Sequence, residues 1–189
     1  MFITEEILQP LIERYGSPQT KSFEIPVTKE EFDRIKSSQK KEREHDVTLY
    51  IFNDDKVAVI AKHFYPPGMY RAPSGGINPG EDFVEGAKRE AREETGCEIE
   101  LEQFLLRANV TFYLDNDREQ MIIWHSYIFK AKYLSGNFEF TDKREIREAR
   151  WAKLAEFEKF AAIMRSTNIG GLHYRAALHE AVLETLSTT

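Results

Sequence analysis

Three glutamates, Glu90, Glu93 and Glu94, stand at i, i+3 and i+4 inside the run GGINPGEDFVEGAKREAREETGC from Gly75 to Cys97. On a helix turning about 100° per residue they gather on one face, while Val84, Ala87 and Ala91 line another, roughly a third of a turn away. Carboxylates so placed repel one another by about 0.2–0.5 kcal/mol per pair in water, so the spacing is a local cost unless a cation sits among them. Hard oxygen ligands suit Mg²⁺ or Mn²⁺, and Mg²⁺ is usually held by one or two carboxylates together with substrate phosphate oxygens. An open carboxylate face beside a glycine-rich loop therefore points to phosphate chemistry. Gly86 lies one turn before Glu90 on the same side. A glycine inside a helix costs about 1 kcal/mol relative to alanine, and room for metal or phosphate accounts for it here.

The elements that must position these glutamates carry their own signals. Pro73, Ser74, Gly75, Gly76, Pro79 and Gly80 punctuate too densely for helix or strand and predict a tight loop. Asp82 is placed to cap the helix, Glu85 to complete a capping box, and Gly96 to stop it after Thr95. Taken alone, E-x-x-E-E on an A/E/K/R-rich helix reads most simply as a solvated surface.

The full stretch says more. Gly75, Glu81, Arg89, Glu90, Glu93, Glu94 and Gly96 stand at G-x5-E-x7-R-E-x-x-E-E-x-G. This resembles the Nudix box of the Nudix hydrolase family from its first to its last fixed residue. Ala91 and Cys97 occupy positions where the family usually has a bulky aliphatic residue. The resemblance implies a Nudix fold, in which a mixed β-sheet is sandwiched between helices, and this agrees with the mixed α/β (α+β) layering read from the elements. It implies that Glu90, Glu93 and Glu94 hold Mg²⁺ or Mn²⁺, with the carbonyl of Ser74 as a further ligand. Arg89 and Glu81 would then pair to hold the helix and its carboxylates in place. Lys62 and Arg71 would lie near substrate phosphates. The implied reaction is hydrolysis of the diphosphate bridge in a nucleoside diphosphate linked to another moiety. For the base, Glu93 competes with Glu145 and Glu148. Within the family a residue beyond the box tends to go with substrate class, and Tyr113 leans toward dinucleoside polyphosphates, with ADP-ribose-like nucleotides close behind. A nucleotide-sensing module, a Nudix-type isomerase and an RNA 5′-end pyrophosphohydrolase are the alternatives.

Composition narrows these. The 189 residues suit one domain of ordinary size, with 41% hydrophobic and 31% charged residues. A formal charge of −6, from 26 Lys and Arg against 32 Asp and Glu, argues against extended nucleic acid as partner. It also leaves the attraction of an anionic nucleotide to metal and a few local cations. No apolar run approaches the roughly 20 residues that span a bilayer, which argues against a membrane partner. The acidic start MFITEEILQ lacks the basic region of an export signal, and the single cysteine, Cys97, fits a reducing cytoplasm.

In chain order, residues 4–15 read as an amphipathic helix, Phe23 to Ile25 as a brief strand, and Thr28 with Glu31 as a capping box before a second helix. The charged run KSSQKKEREHD places a boundary between an extension, 1–44, and the Nudix domain, 45–189; the extension packs on the domain, joins a homodimer, or does both. VTLYIF and VAVIA around Asn53-Asp54-Asp55-Lys56 predict a hairpin. IELEQFLLRANVTFYL reads as one or two strands and QMIIWHSYIFKAKYL as a long buried one. The charged FTDKREIREARW, an amphipathic stretch near Phe157 and a last helix presenting Leu172, Ala176, Leu178, Val182 and Leu186 follow.

Overall fold

The computed structural model describes residues 3–39 and 43–188. Its centre is one mixed sheet of β1 (Gln19–Val27), β2 (His45–Asn53), β3 (Lys56–Lys62), β4 (Ser74–Gly75), β5 (Cys97–Leu114), β6 (Asp117–Gly136) and β7 (Ile146–Lys153). The strands run in the order β1-β5-β6-β2-β3-β7, and the short β4 pairs with β2 through Thr48 and Val47. β1 lies parallel to β5 and β2 parallel to β6, while β5/β6, β2/β3 and β3/β7 are antiparallel. The expected hairpin turns at Asp54 and Asp55, where Asp54 takes φ 53°.

Helices α1 (Glu5–Tyr15) and α3 (Phe83–Thr95) cover one face of the sheet; α2 (Lys29–Gln39), α4 (Glu156–Arg165) and α5 (Gly170–Ser187) cover the other. Because side chains alternate along a strand, β2 sends Val47, Leu49 and Ile51 to the α1/α3 core and Tyr50 to the α4/α5 core. Both faces of β2 and β3 are therefore buried, which is why their sequences read as nearly unbroken apolar runs.

The segment read as an extension packs on the domain. β1 pairs with β5 over nine register positions, and Tyr15 of α1 sits edge-on to Phe129 at 5.9 Å. Residues 40–42 of the charged connector, like 1, 2 and 189, lie outside the described residues. The Thr28/Glu31 capping box forms: Glu31 Oε2 accepts from Thr28 N at 3.1 Å, and Thr28 Oγ1 accepts from Glu31 N at 3.3 Å.

Three elements differ from the sequence reading. The brief strand at Phe23 extends to nine residues. The run QMIIWHSYIFKAKYL, expected to be largely buried, lies in β6 but leaves Met121, Ile123 and Leu134 exposed, while IELEQFLLRANVTFYL takes the single-strand form of its reading. The charged segment FTDKREIREARW runs into β7, an edge strand that buries Ile146 and Ala152 while Arg147, Glu148 and Lys153 stay exposed. With so few apolar positions it shows no alternation to read.

Candidate active site

Helix α3 begins as its sequence demands. Asp82 Oδ1 accepts from Val84 N and Glu85 N, both at 3.0 Å, and Gly96 ends the helix in the left-handed region at φ 69°. The expected capping box is half made, because Glu85 turns to Lys88 at 2.8 Å instead of returning to the cap. Its neighbour Glu81 braces the loop, accepting from Asn78 N at 2.8 Å.

Arg89 organises the exposed half of the glutamate cluster. Its Nε and Nη2 meet the two oxygens of Glu81 at 2.7 and 2.9 Å, and Nη1 reaches Glu90 at 2.9 Å and Glu93 at 3.1 Å. Nη2 also donates to the carbonyl of Gly76 at 2.9 Å, so one planar guanidinium ties loop and helix together. Glu90 lies so close to the loop that a Cβ at position 75 would fall 1.8 Å from its Oε2, so any larger residue there would displace the carboxylate from this position. Gly86 has a different reason from the one its sequence position suggested. A Cβ there would meet Glu81 Oε2 and Ile77 Cδ1, both at 2.8 Å, so the glycine makes room for the brace and the core and not for metal or phosphate.

The cluster grades from wet to dry. The Glu93 side chain is 44% exposed, Glu90 15% and Glu94 5%, so Glu94 is buried and not on an open face. Glu94 Oε2 accepts from Ser74 N at 2.7 Å, and Oε1 lies 3.3 Å from Arg71 Nη2. Arg71, itself buried, also donates to Ser74 Oγ, the carbonyl of Ala72 and the hydroxyl of Tyr65. Burial pushes the Glu94 carboxyl above its usual range against the pull of Arg71 and Lys62. Burial raises Glu90 too, Arg89 opposes it, and the charges of Glu94 and Glu93 add to the rise.

Glu145, on the loop before β7, pairs with Lys62, which holds its carboxyl below the usual range. Both line a cavity of about 480 Å³, whose charged walls are Arg34, Lys62, Arg71, Arg144 and Arg175 against the one carboxylate of Glu145. A second cavity of about 410 Å³ shares Arg34, Lys62, Glu145 and Arg175 and adds Phe112, Trp124 and Tyr174. Arg175 is fixed by Asp46 Oδ2 at 2.7 Å and Thr48 Oγ1 at 3.2 Å.

The structure thus joins Glu81, Arg89, Glu90 and Glu93 in one network, Ser74, Arg71 and Glu94 in a second, and Lys62 with Glu145 in a third. Tyr113 lines neither cavity. It alternates with the cavity-lining Phe112 along β5, so it faces the other way, and stacks beneath Arg118 at 4.4 Å. Glu148 sits exposed on β7 and lines neither cavity. Arg34, Arg144 and Arg175 escaped the sequence reading because no spacing links residues drawn from three distant segments.

Among the described residues, no three Asp, Glu, His or Cys side chains converge where an ion would sit, since Arg89 and Arg71 occupy their oxygens. The donor chemistry nevertheless suits a hard cation: three carboxylates, mutual repulsion registered at Glu90, and a Cβ-free cradle at Gly75.

An α+β sandwich with an acidic helix packed behind a cationic cavity is the class these features define. The NUDIX domain family matches residues 42–168, and the chain belongs to the Nudix hydrolase family, whose members generally need a divalent metal ion. Nudix hydrolase 8 of Arabidopsis thaliana is 31% identical over 115 residues, covering 57% of this chain and 29% of that protein. The nucleoside triphosphatase NudI of Escherichia fergusonii is 28% identical over 114 residues, covering 56% of this chain and 79% of that protein. Among solved structures, a NUDIX hydrolase from Nitrosomonas europaea superposes with a TM-score of 0.50 at 19% identity, covering 72% of this chain and 89% of that one, a likeness of fold. No helix among the described residues is long and apolar enough to cross a membrane.

Proposed function

We propose that the chain is a cytoplasmic, metal-dependent pyrophosphohydrolase that cleaves the diphosphate bond of a nucleoside diphosphate linked to another moiety. Dinucleoside polyphosphates and ADP-ribose-like nucleotides are the substrate classes. The observation that carries the reading is Arg71, which lines the cationic cavity and also holds Glu94, so phosphate binding and the carboxylate helix meet at one guanidinium. It answers the charge difficulty as well, because a chain of net −6 concentrates five cations in one cavity.

In this reading Glu90, Glu93, Glu94 and the Ser74 carbonyl hold Mg²⁺ or Mn²⁺. Bound there, the ion would neutralise phosphate charge and acidify a water molecule. Glu93, the most exposed of the three glutamates, is the one freest to leave Arg89. Lys62 and Arg71 orient the diphosphate. Glu145 takes the proton, with Glu93 as its competitor. While Lys62 holds Glu145 the carboxylate is ionised but a weak base, and a phosphate that draws Lys62 away strengthens it.

The test is product release from diadenosine polyphosphates, ADP-ribose, NADH, coenzyme A and nucleoside triphosphates, the last included because of NudI, with Mg²⁺, Mn²⁺ or excess chelator. Turnover of a diphosphate-bridged nucleotide that chelator abolishes is expected. Full turnover in chelator, or none across the panel, overturns the reading.

A further inference from the structure

Two walls of the cavity come from outside the NUDIX match at 42–168: Arg34 on α2, and Gly171 with Arg175 near the start of α5. A single buried carboxylate fastens them together. Glu31 accepts from Gly170 N at 3.3 Å and Gly171 N at 3.0 Å, where the unpaired amides of the α5 N-terminus favour an anion, while it also caps its own helix at Thr28. Gly170 permits the close approach, since a Cβ there would lie 2.1 Å from the carbonyl of Pro26. Arg34 stands three residues beyond Glu31, so the anchor sets where its guanidinium reaches.

The cavity cations differ in what they have left to offer. Arg71 is committed to Glu94, Lys62 to Glu145 and Arg175 to Asp46. Arg34 and Arg144 form no ion pair with a carboxylate among the described residues; Arg144 lines only the first cavity and bears on Glu145, whereas Arg34 lines both. It faces the shared space with its full charge and fork of donors.

We infer that Arg34, positioned by Glu31, binds an anionic group beyond the scissile diphosphate and so selects nucleotides with a longer phosphate chain. This rests on the hydrolase reading for which bond is scissile, but the contact itself needs neither metal nor turnover. An additional phosphate gives Arg34 a bidentate partner that a two-phosphate nucleotide lacks.

Calorimetric titration of the full chain in EDTA with diadenosine tetraphosphate and with ADP-ribose measures the preference as a ratio of dissociation constants. The parent is expected to favour the tetraphosphate. In Arg34→Ala the ratio should fall about tenfold, and in Arg34→Lys about threefold, because lysine keeps the charge and loses the fork. Arg34 is exposed, so these variants should fold as the parent does. A ratio unmoved in Arg34→Ala in a chain that hydrolyses with Mg²⁺ overturns the Arg34 assignment alone. A ratio that falls in a chain with no turnover supports Arg34 and overturns the hydrolase reading. Binding of neither nucleotide in EDTA overturns the Arg34 assignment and leaves the hydrolase reading to its own turnover test.

Discussion

Behind one face of the sheet, α3 places Arg89, Glu90, Glu93 and Glu94 within six consecutive residues; behind the other, α2 and α5 bring Arg34 and Arg175 together from opposite ends of the chain. The first group is fixed by the geometry of a single helix, and its neighbours Glu81 and Gly75 are close in sequence as well as in space. The second exists only because Glu31 joins α2 to α5 and Asp46 holds Arg175 against β2. The contrast separates two jobs. On the proposed function, carboxylates that share a cation need the fixed spacing a helix supplies, whereas cations that face a substrate need only to line one cavity, which tertiary packing can assemble from any segment.

The comparison breaks most sharply at Glu94. Glu94→Gln should lower metal-dependent kcat/KM by about 10²–10³, the cost of losing a group worth roughly 3–4 kcal/mol at the transition state. It should also cost about 3 kcal/mol of stability, because Arg71 is left charged in a dry site without its partner. Thermal melts beside kinetics check both. An unshifted melting temperature would mean that the buried pair does not anchor the α3 face.

The α4/α5 face carries the next largest effect. His179 is buried between Tyr50 and Phe157, and burial brings its pKa down to about 3. The unfolded chain takes up a proton below pH 6.5 that the folded chain refuses, so stability is full above that pH and is lost as pH falls toward 3. The loss by pH 4 should be on the order of 3 kcal/mol. His179→Gln should flatten the decline in melting temperature between pH 6.5 and 4, and parallel profiles for variant and parent would refute this origin of acid sensitivity.

The same contrast explains what could be read from the chain. The α3 face was legible because cap, glutamates and stop signal fall in one continuous run, whose spacing is the chemistry. The sheet was legible where β2 and β3 bury long apolar runs, whereas β6 is fully buried only from Ser126 to Phe129. Strand β7 was not, since an edge strand anchored by Ile146 and Ala152 carries charges elsewhere. Glu94 was placed on an open face because periodicity tells which residues share a side and not how deeply the side is buried. Gly86 looked like space for a ligand because the Glu81 and Ile77 side chains that fill it reach in from the preceding loop.

A smaller effect separates positioning from charge within α3. Arg89 binds Glu81 through two parallel contacts and spends its other donors on Glu90, Glu93 and the Gly76 carbonyl, a geometry no ammonium reproduces. Arg89→Lys should lower kcat about tenfold, with KM for the nucleotide changing less, because the lost fork orients carboxylates and not substrate. A rise in KM at constant kcat would move Arg89 from the acidic helix to the substrate-binding group.

The smallest effect tests the boundary of the cavity itself at two adjacent residues. Phe112 and Tyr113 point to opposite faces of β5: Phe112 lines the second cavity and packs edge-on against Tyr174 at 5.7 Å, while Tyr113 lies outside it under Arg118. The family tendency would have Tyr113 choose the substrate, but a ring on the far side of a strand cannot stack on a base in the cavity. Its contact with Arg118 is exposed and worth about 0.5–1 kcal/mol at most. Tyr113→Ala should therefore change kcat/KM by less than about twofold across diadenosine polyphosphates and ADP-ribose, well within the roughly 0.5 kcal/mol expected of surface substitutions. Phe112→Leu, which thins the cavity wall while keeping it apolar, should raise KM for the adenosine-bearing substrates several times more. If the two variants behaved the other way round, Tyr113 would reach substrate by a route this conformation does not display, and the division between a chemical face and a selecting face would have to be redrawn at β5.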